Sequence, residues 1–288
     1  MTKPRALIVL PCYNEAPVLE PHVERIVRHC EAALAGYDWT LLIADNASSD
    51  GTGAIGRQLA GRHGRVEYAH LPEKGRGNIL RHAWLEREAD IYAYMDADLA
   101  TDLAHLAPLL DAVRDSAGAA VGCRLIAGAR VIGRSLGREV SSRGYNLCLR
   151  LAFGVRFRDA QCGFKAVSRR VRDRVVPLTR DIRWFFDSEV LILSERGGLA
   201  IREMPVTWED HQGRESKVKL FRDILYFLGR VAGLRRRLWS DPDLQTLTTK
   251  AQRAQRIYKG NPWAFEPLQY LKVASTTILG NRLVDFVR

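Results

Sequence analysis

Two carboxylates one residue apart, Asp96 and Asp98, have the types and spacing best suited to chemistry in this sequence. They directly follow the apolar run 91–95, which is typical of a buried strand, so both are expected at a strand end. Such a pair can hold a hard divalent cation, and the cation can also bind a diphosphate that the carboxylates alone would repel. The pattern predicts a Mg²⁺ or Mn²⁺ site, although taken alone it is more often a solvated loop or a helix cap.

A second candidate group is the cationic turn Lys74-Gly75-Arg76-Gly77, which precedes a predicted helix. Backbone amides at a helix N-terminus and basic side chains can both bind phosphate oxygens. The turn is therefore a candidate phosphate site. Without its neighbours, a basic turn that caps the helix is the commoner meaning of such a pattern.

Both groups lie in a regular alternation of short apolar runs and helical periods, which predicts strands over residues 6–10, 40–44, 66–70 and 91–95. Helices are predicted over residues 18–35, after Gly51, from about Gly77 and from Leu103. This alternation predicts an α/β fold with a mostly parallel sheet flanked by helices. Ligands bind beyond the carboxyl ends of such strands, so the polar segments 11–15, 45–51 and 96–98 are expected to meet at one edge.

The second half of the chain has a looser pattern, with a Gly- and Arg-rich loop, a predicted helix over residues 138–153 and a predicted strand over residues 200–208. Basic residues from Lys217 to Arg237 then alternate with large apolar residues such as Leu220 and Phe227. This mixture predicts a helix that lies in a membrane interface.

The 288 residues are 47% hydrophobic, which is enough for a sizeable core in one domain with a basic tail. The net charge of +11 predicts an anionic partner: phosphates, acidic lipid or nucleic acid. The five cysteines form no CxxC pair, which argues against a disulfide framework or a zinc cluster and favours a reducing cytoplasm. No stretch has the pattern of a signal peptide or enough apolar residues to cross a bilayer, so a soluble or peripheral protein is expected.

These segments together resemble the family 2 glycosyltransferases of the GT-A (Rossmann-like) fold, in particular polyprenyl-phosphate sugar synthases such as the dolichyl-phosphate mannose and glucose synthases. The resemblance covers about residues 6–235 and is carried by motifs that occur in order: LPCYNE, DNASSDGT, EKGRGNIL, MDADLATD, GCR, DAQCGFKAV, RWFFDSEVL, and REMPVTWED followed by ESK. It implies a catalytic domain over residues 1–215, a basic amphipathic interfacial helix over residues 216–240 and a C-terminal helical extension of unknown role over residues 241–288.

The resemblance also implies roles for single residues. The nucleotide base and ribose are expected at Pro11, Tyr13, Glu15 and Asp45, the donor phosphates at Lys74 and Lys217, and the Mg²⁺ or Mn²⁺ at Asp96 and Asp98. With Asp98, the catalytic set comprises the residues expected to hold an acceptor phosphate, Arg124, Arg138 and Ser142. A sugar pocket is expected at Asp159, Gln161, Asp187 and Glu189, although Asp159 could equally brace an arginine and Glu189 could equally pair within the fold.

A lipid phosphate acceptor would need no strong general base, because its second pKa is about 6 by analogy with phosphorylated side chains. In-line attack on the anomeric carbon would invert its configuration and give a β-linked lipid phosphosugar. Guanidinium groups and a metal would offset the repulsion between the acceptor phosphate and the donor diphosphate.

The sequence departs from the mannose branch of the family at Ala100, where that branch has a glutamine. UDP-glucose is therefore favoured as donor over GDP-mannose, and Ala100 cannot supply a third side-chain ligand to the cation. Arg214 replaces a frequent glycine before the ESK lysine, which affects the expected geometry of the closing loop. The expected location is the cytoplasmic face of an anionic membrane, and the extension after residue 240 leaves a homo-oligomer open.

Three other functions remain open at this point. The first is a GDP-mannose-dependent synthase, and the second is transfer to a soluble acceptor with Asp159, Asp187 or Glu189 as general base. The third is a non-catalytic nucleotide- or nucleic-acid-binding protein. Nucleic acid is not expected as a partner, because the basic residues lie among apolar ones instead of among exposed stacking aromatics.

Overall fold

The computed structural model describes residues 2–115, 117–210 and 220–249. The described residues contain a sheet of seven strands: β1 (Arg5–Cys12), β2 (Asp38–Asn46), β3 (Val66–Leu71), β4 (Ile91–Met95), β5 (Ala119–Cys123), β7 (Phe164–Ser168) and β8 (Ile201–Pro205). Their order across the sheet is β3-β2-β1-β4-β7-β5-β8, and all pair in parallel except β7, which is antiparallel to both neighbours. The predicted mostly parallel α/β sheet is confirmed, and β5 and β7 are the strands of this sheet that the alternation did not predict.

Side chains alternate between two apolar cores on opposite faces of the sheet, as in any strand that is covered on both sides. Along β1, Ile8 and Leu10 enter one core while Leu7 and Val9 enter the other. The first core is covered by α1 (Ala16–Ala33), α2 (Thr52–Arg62) and α4 (Leu106–Arg114). The second is covered by α3 (Arg76–Leu85), α5 (Leu136–Phe153), α6 (Arg169–Arg174), α7 (Phe186–Arg196) and α8 (Leu220–Ser240).

The predicted strand over residues 200–208 is divided between two sheets. Residues Ile201–Pro205 form β8, whereas β9 (Thr207–Glu209) pairs with β6 (Arg130–Ile132) in a separate parallel pair. Pro205 has no backbone N–H to continue the ladder of the main sheet, which explains the break at this position. The break places β9 beside the Gly- and Arg-rich segment that follows β5.

Two predicted helices begin at different residues from those expected. The helix predicted from Leu103 starts with a 3₁₀ turn, Leu103–His105, and α4 follows from Leu106. The helix predicted from residue 138 begins at Leu136, because Ser135 caps it by accepting a hydrogen bond from the Arg138 N–H at 3.4 Å.

The predicted C-terminal amphipathic helix is α8, and residues 242–249 are helical as well. Val231 and Leu234 of α8 are buried while Leu228 and Trp239 are exposed. None of the helices in the described ranges is long and apolar enough to span a bilayer. Lys217, Arg214 and the extension beyond residue 249 lie outside the described residues.

Candidate active site

A cleft of about 1200 Å³ opens at the carboxyl edge of the sheet, beyond β1, β2 and β4. This is the edge at which the parallel topology predicted the polar segments to meet. The predicted site residues that line it are Pro11, Tyr13, Glu15, Lys74, Asp96, Asp98, Arg124, Arg138, Ser142 and Gln161. The structure thus brings most of the predicted residues into one cavity, while their individual roles stay predictions.

Asp96 is held from two sides at the end of β4. Its N–H donates to the Gly163 carbonyl at 2.9 Å, and Arg76 Nη2 donates to its Oδ1 at 2.7 Å. A Cβ atom on Gly163 would lie only 1.7 Å from Asp96 Oδ2, so the carboxylate packs directly against that glycine. With 43% of its side chain exposed, Asp96 faces the cleft in a fixed orientation.

The turn after β4 brings Asp98 to the same cavity. Leu99 has a φ of 52°, a left-handed conformation that is unusual for a leucine and that marks a sharply turned backbone. The Ala100 N–H donates to Asp98 Oδ1 at 3.1 Å. Asp96 and Asp98 thus both line the cleft.

Behind Asp96 lies a buried charged cluster that the sequence did not reveal. Arg76 forms an ion pair with Asp187 as well as with Asp96, and Asp187 also accepts a hydrogen bond from Tyr94. Lys165 Nζ lies 3.0 Å from Tyr94 Oη and 3.8 Å from Asp187 Oδ1. Burial raises the pKa of Asp187, but the charges of Arg76 and Lys165 lower it by more, so the pKa of Asp187 is below the ordinary value. Asp187 is therefore a buried counter-ion, and its predicted place in a sugar pocket stays untested.

The Gly75 and Gly77 amides of the cationic turn donate hydrogen bonds within the protein. The Gly75 N–H donates to Asn46 Oδ1 at 2.9 Å, the Gly77 N–H to the Arg183 carbonyl at 3.1 Å and the Asn78 N–H to the Ile182 carbonyl at 3.0 Å. For the Gly75 and Gly77 amides the structure shows the capping alternative, because Asn46 and the segment around Ile182 already accept their hydrogen bonds. Lys74 keeps a cationic role at the cleft, where its ammonium lies 4.6 Å from the centre of the Tyr13 ring.

On the other wall, Arg124 is fixed by Asp159 in a two-pronged ion pair. Arg124 Nε and Nη2 donate to the two carboxylate oxygens at 2.8 and 2.9 Å, and Asp159 is fully buried. Burial raises the pKa of Asp159, but Arg124 lowers it more strongly, so its pKa is below the ordinary value. Of the two roles left open for Asp159, the structure shows the bracing one.

Arg138 and Ser142 lie one helical turn apart at the start of α5. Arg138 forms an ion pair with Asp210, another cleft residue. Ser142 is buried and lines the cleft, and its Oγ has no hydrogen-bond partner among the described residues. A buried hydroxyl without a partner is costly, so it is suited to bind a ligand group that enters the cavity.

Several cleft residues were not predicted, notably Arg134, Trp184 and Trp208. Two cations lie near the Trp208 ring, with the guanidinium carbon of Arg124 at 5.4 Å and that of Arg134 at 6.0 Å from its centre. Arg134 precedes Arg138 by four residues, a spacing that could have suggested a second cation on the same wall. Burial and the neighbouring Arg124 lower the pKa of Arg134.

Two further predicted residues, Asp45 and Glu189, have their side chains within the fold. Asp45 is 2% exposed and accepts hydrogen bonds from the Ser48 N–H at 3.0 Å and from Tyr68 at 2.8 Å. Glu189 accepts from the N–H groups of Arg180 and Asp181, each at 2.9 Å, and from Arg237 of α8 at 2.6 Å. For Glu189 the structure shows pairing within the fold, and the nucleotide role of Asp45 stays a prediction. Cys162 is buried, and burial raises its thiol pKa to about 11.

The fold is of the GT-A class. The solved structure of the mannosyltransferase PcManGT from Pyrobaculum calidifontis, a complex with GDP-Man and Mn²⁺, matches with a TM-score of 0.51 and 17% identity over 96% of this chain and 80% of that one. Residues 7–175 match the family described as Glycosyl transferase family 2, and the chain belongs to that family.

Curated relatives fall on both donor branches. Glycosyltransferase AglD of Haloferax volcanii is 38% identical over 220 residues, which are 76% of this chain but 35% of that protein. The dolichyl-phosphate beta-glucosyltransferase of Saccharomyces cerevisiae is 25% identical over 77% of this chain and 75% of its own length. The polyprenol monophosphomannose synthase of Mycolicibacterium smegmatis is 29% identical over 74% and 81%. The chain thus spans about a third of AglD and three quarters or more of the other two.

Proposed function

We propose that this chain is a metal-dependent, inverting glycosyltransferase that moves glucose from UDP-glucose onto a polyprenyl phosphate. The observation that carries the proposal is the charge arrangement of one cleft, in which Asp96 and Asp98 share a cavity with Arg124 and Arg138. The activities named for the yeast and mycobacterial relatives, transfer to dolichyl phosphate and synthesis of a polyprenol monophosphosugar, support this acceptor class.

In the donor half, Asp96 and Asp98 would hold Mg²⁺ or Mn²⁺. The residues fit such an ion, because both carboxylates line the cleft. Mg²⁺ commonly keeps several waters and binds through one or two carboxylates plus substrate phosphates. The ion would neutralise the diphosphate that leaves the sugar. Tyr13, Glu15 and Lys74 line the part of the cleft assigned to the nucleotide.

In the acceptor half, Arg124 and Arg138 would bind the lipid phosphate and Ser142 would donate a hydrogen bond to it. Asp159 keeps Arg124 pointing into the cavity, and the phosphate would replace Asp210 as the partner of Arg138. The phosphate is already ionised, so no side chain must remove a proton before it attacks the anomeric carbon. The order of events is binding, orientation and in-line displacement, which inverts the sugar configuration.

An exposed surface with apolar and basic residues next to the acceptor half supports the proposal of a lipid substrate. We call it the α5–α8 surface; its exposed apolar residues are Leu136, Val140, Leu147 and Leu151 of α5 with Leu225, Leu228 and Trp239 of α8. The two helices pack together, with the rings of Tyr145 and Phe227 4.8 Å apart. Exposed basic side chains, including Arg143, Arg150, Arg235 and Arg236, accompany the apolar ones. This mixture suits peripheral contact with an anionic membrane, on the cytoplasmic face where nucleotide sugars would be supplied.

The direct test is transfer of radiolabel from UDP-glucose to a polyprenyl phosphate by the full chain with Mg²⁺ or Mn²⁺. We expect a lipid-extractable product that Asp98→Ala abolishes and that Arg138→Ala reduces by about 100-fold or more without weakening UDP binding. Arg156→Ala, an exposed arginine outside the cleft, should leave the rate unchanged. Label found only in water-soluble product would refute the lipid acceptor, and a full rate in Arg138→Ala would favour a soluble one.

GDP-mannose is the second candidate donor, because the mycobacterial mannose synthase is as similar to this chain as the glucosyltransferase of yeast, at 29% against 25% identity. A binding screen of UDP-glucose, UDP-N-acetylglucosamine and GDP-mannose, each with and without a divalent metal, distinguishes the two. Metal-dependent binding of GDP-mannose alone would replace glucose in the proposal.

A further inference from the structure

The exposed ring of Trp184 is a feature of the cleft that the proposed chemistry leaves without a role. It begins the run Trp184-Phe185-Phe186, whose two phenylalanines are each 1% exposed and belong to the core. Trp184 is 48% exposed and lines the cleft. A large aromatic side chain kept open inside a cavity is typical of a ligand-binding surface.

The Trp184 ring is held in place by Arg76 and by the hydrogen-bonded backbone of its own segment. Arg76 lies over one face of it, with the guanidinium carbon 5.3 Å from the ring centre. The backbone before the ring is fixed, because the Arg183 N–H donates to Asp181 Oδ1 at 2.8 Å and the Arg183 carbonyl accepts from Gly77 at 3.1 Å. Asp181 is in turn gripped by Tyr226 at 2.7 Å and Arg230 at 2.9 Å, both from α8. A ring ordered in advance binds a ligand at little further entropic cost.

The position of the ring identifies the part of the donor that it can meet. The same Arg76 guanidinium that lies over Trp184 also binds Asp96, so the ring is adjacent to the acidic pair at which the donor diphosphate would be held. The sugar is the group attached next to that diphosphate. Lys74 and Tyr13, which line the part assigned to the nucleotide, interact with each other.

We infer that Trp184 is the surface on which the transferred hexose packs, with the C–H face of the pyranose against the indole. This inference rests on the proposed donor class, since it assumes a nucleotide sugar in the cleft. Aromatic packing of this kind is worth up to about tenfold in affinity, and it selects a six-membered ring with an apolar face over a bare phosphate.

The test compares dissociation constants for UDP-glucose and UDP, both with Mg²⁺, by isothermal titration calorimetry. We expect Trp184→Ala to weaken UDP-glucose by about tenfold and to leave UDP unchanged. Trp184→Phe should keep most of the preference for the sugar nucleotide, whereas Trp184→Leu, which is apolar but not flat, should lose it. Ile182→Ala is the matched control, because Ile182 is 44% exposed on the same segment, and it should change neither constant.

Equal weakening of UDP-glucose and UDP in Trp184→Ala would overturn the inference, since the ring would then serve the nucleotide or the fold. An unchanged dissociation constant for UDP-glucose in Trp184→Ala would overturn it as well. If the wild-type chain prefers GDP-mannose, the same ratio is measured with GDP-mannose and GDP, so an error in the proposed sugar leaves the inference testable. If no nucleotide sugar binds, the proposed function fails and the inference fails with it.

Discussion

Gly163 leaves the space that the Asp96 carboxylate occupies at the end of β4. A methyl group there would lie 1.7 Å from Asp96 Oδ2 and 2.1 Å from its Cγ, so the carboxylate would have to rotate away. We therefore expect Gly163→Ala to fold but to transfer sugar about 100-fold more slowly, as misplaced catalytic groups do. Rates and circular dichroism should be compared with Gly61→Ala, where an added methyl meets nothing within 4 Å. Equal rates for the two variants would contradict this role for Gly163.

The Arg124–Asp159 ion pair should make the stability of the protein depend on pH. Because the folded pKa of Asp159 is lowered, its contribution to stability is complete above the unfolded pKa of about 3.9 and is lost as the pH falls through the folded value. Asp159→Asn should therefore lower the free energy of unfolding by about 3 kcal/mol at pH 7, since it leaves a buried arginine without its counter-ion. Urea unfolding should show the gap between the two proteins shrinking below about pH 4. A gap that grows on acidification would contradict the assignment.

At the residue scale, the sequence was informative about which side chains enter the cleft and much less about what holds them. Carboxyl ends of parallel strands meet at one edge, so the grouping of Asp96 with Tyr13 and Lys74 followed from their positions after strands. The buried partners could not be predicted in the same way. Arg76 and Asp187 are 111 residues apart, and Glu189 meets Arg237 across 48 residues. Pairings of this kind depend on the complete fold.

At the scale of elements, prediction succeeded for the regular alternation and failed where topology changes direction. The first four strands have flanking helices and apolar runs of ordinary length, whereas β7 lies within a motif rich in polar residues and runs against its neighbours. The division of residues 200–208 between β8 and β9 depends on which partner strand is in reach. A single-sequence pattern contains no information on that partner.

The helix α8 is bound to the domain by ion pairs as well as by apolar contacts, which yields a stability prediction. Glu189 is 2% exposed, and Arg237 supplies the charge that balances it at 2.6 Å. Arg237→Ala should lower the free energy of unfolding by about 3 kcal/mol, because a buried carboxylate would lose its counter-ion. Arg236→Ala removes the same charge from an exposed position and should cost no more than about 0.5 kcal/mol in denaturant titrations. Similar losses in the two variants would contradict the buried pairing.

At the scale of the whole molecule, the net charge of +11 and the α5–α8 surface predict salt-sensitive membrane binding. The full chain should sediment with vesicles that contain an anionic phospholipid, and less so at 1 M salt, where the Debye length falls to about 3 Å. The double variant Leu147→Glu/Leu151→Glu should bind about tenfold more weakly, since it places charge on the apolar face. Its control, Ala32→Glu/Ala33→Glu, adds the same charge to exposed positions of α1 on the opposite side of the sheet. Equal losses in both would reduce the effect to net charge alone.

The shared contact of Arg76 with Trp184 and Asp96 also has a spectroscopic consequence. A cation next to an indole ring shifts the fluorescence emission of that ring. A ligand that binds Asp96 competes with Arg76 for its carboxylate and should therefore change the position of the Arg76 guanidinium against Trp184. We therefore expect donor and metal binding to change the intrinsic fluorescence of the protein, with no label attached. The sequence contains six tryptophans, and Trp184→Phe identifies how much of the change arises at this ring. We thus expect the fluorescence of Trp184 to show whether a ligand occupies the cleft.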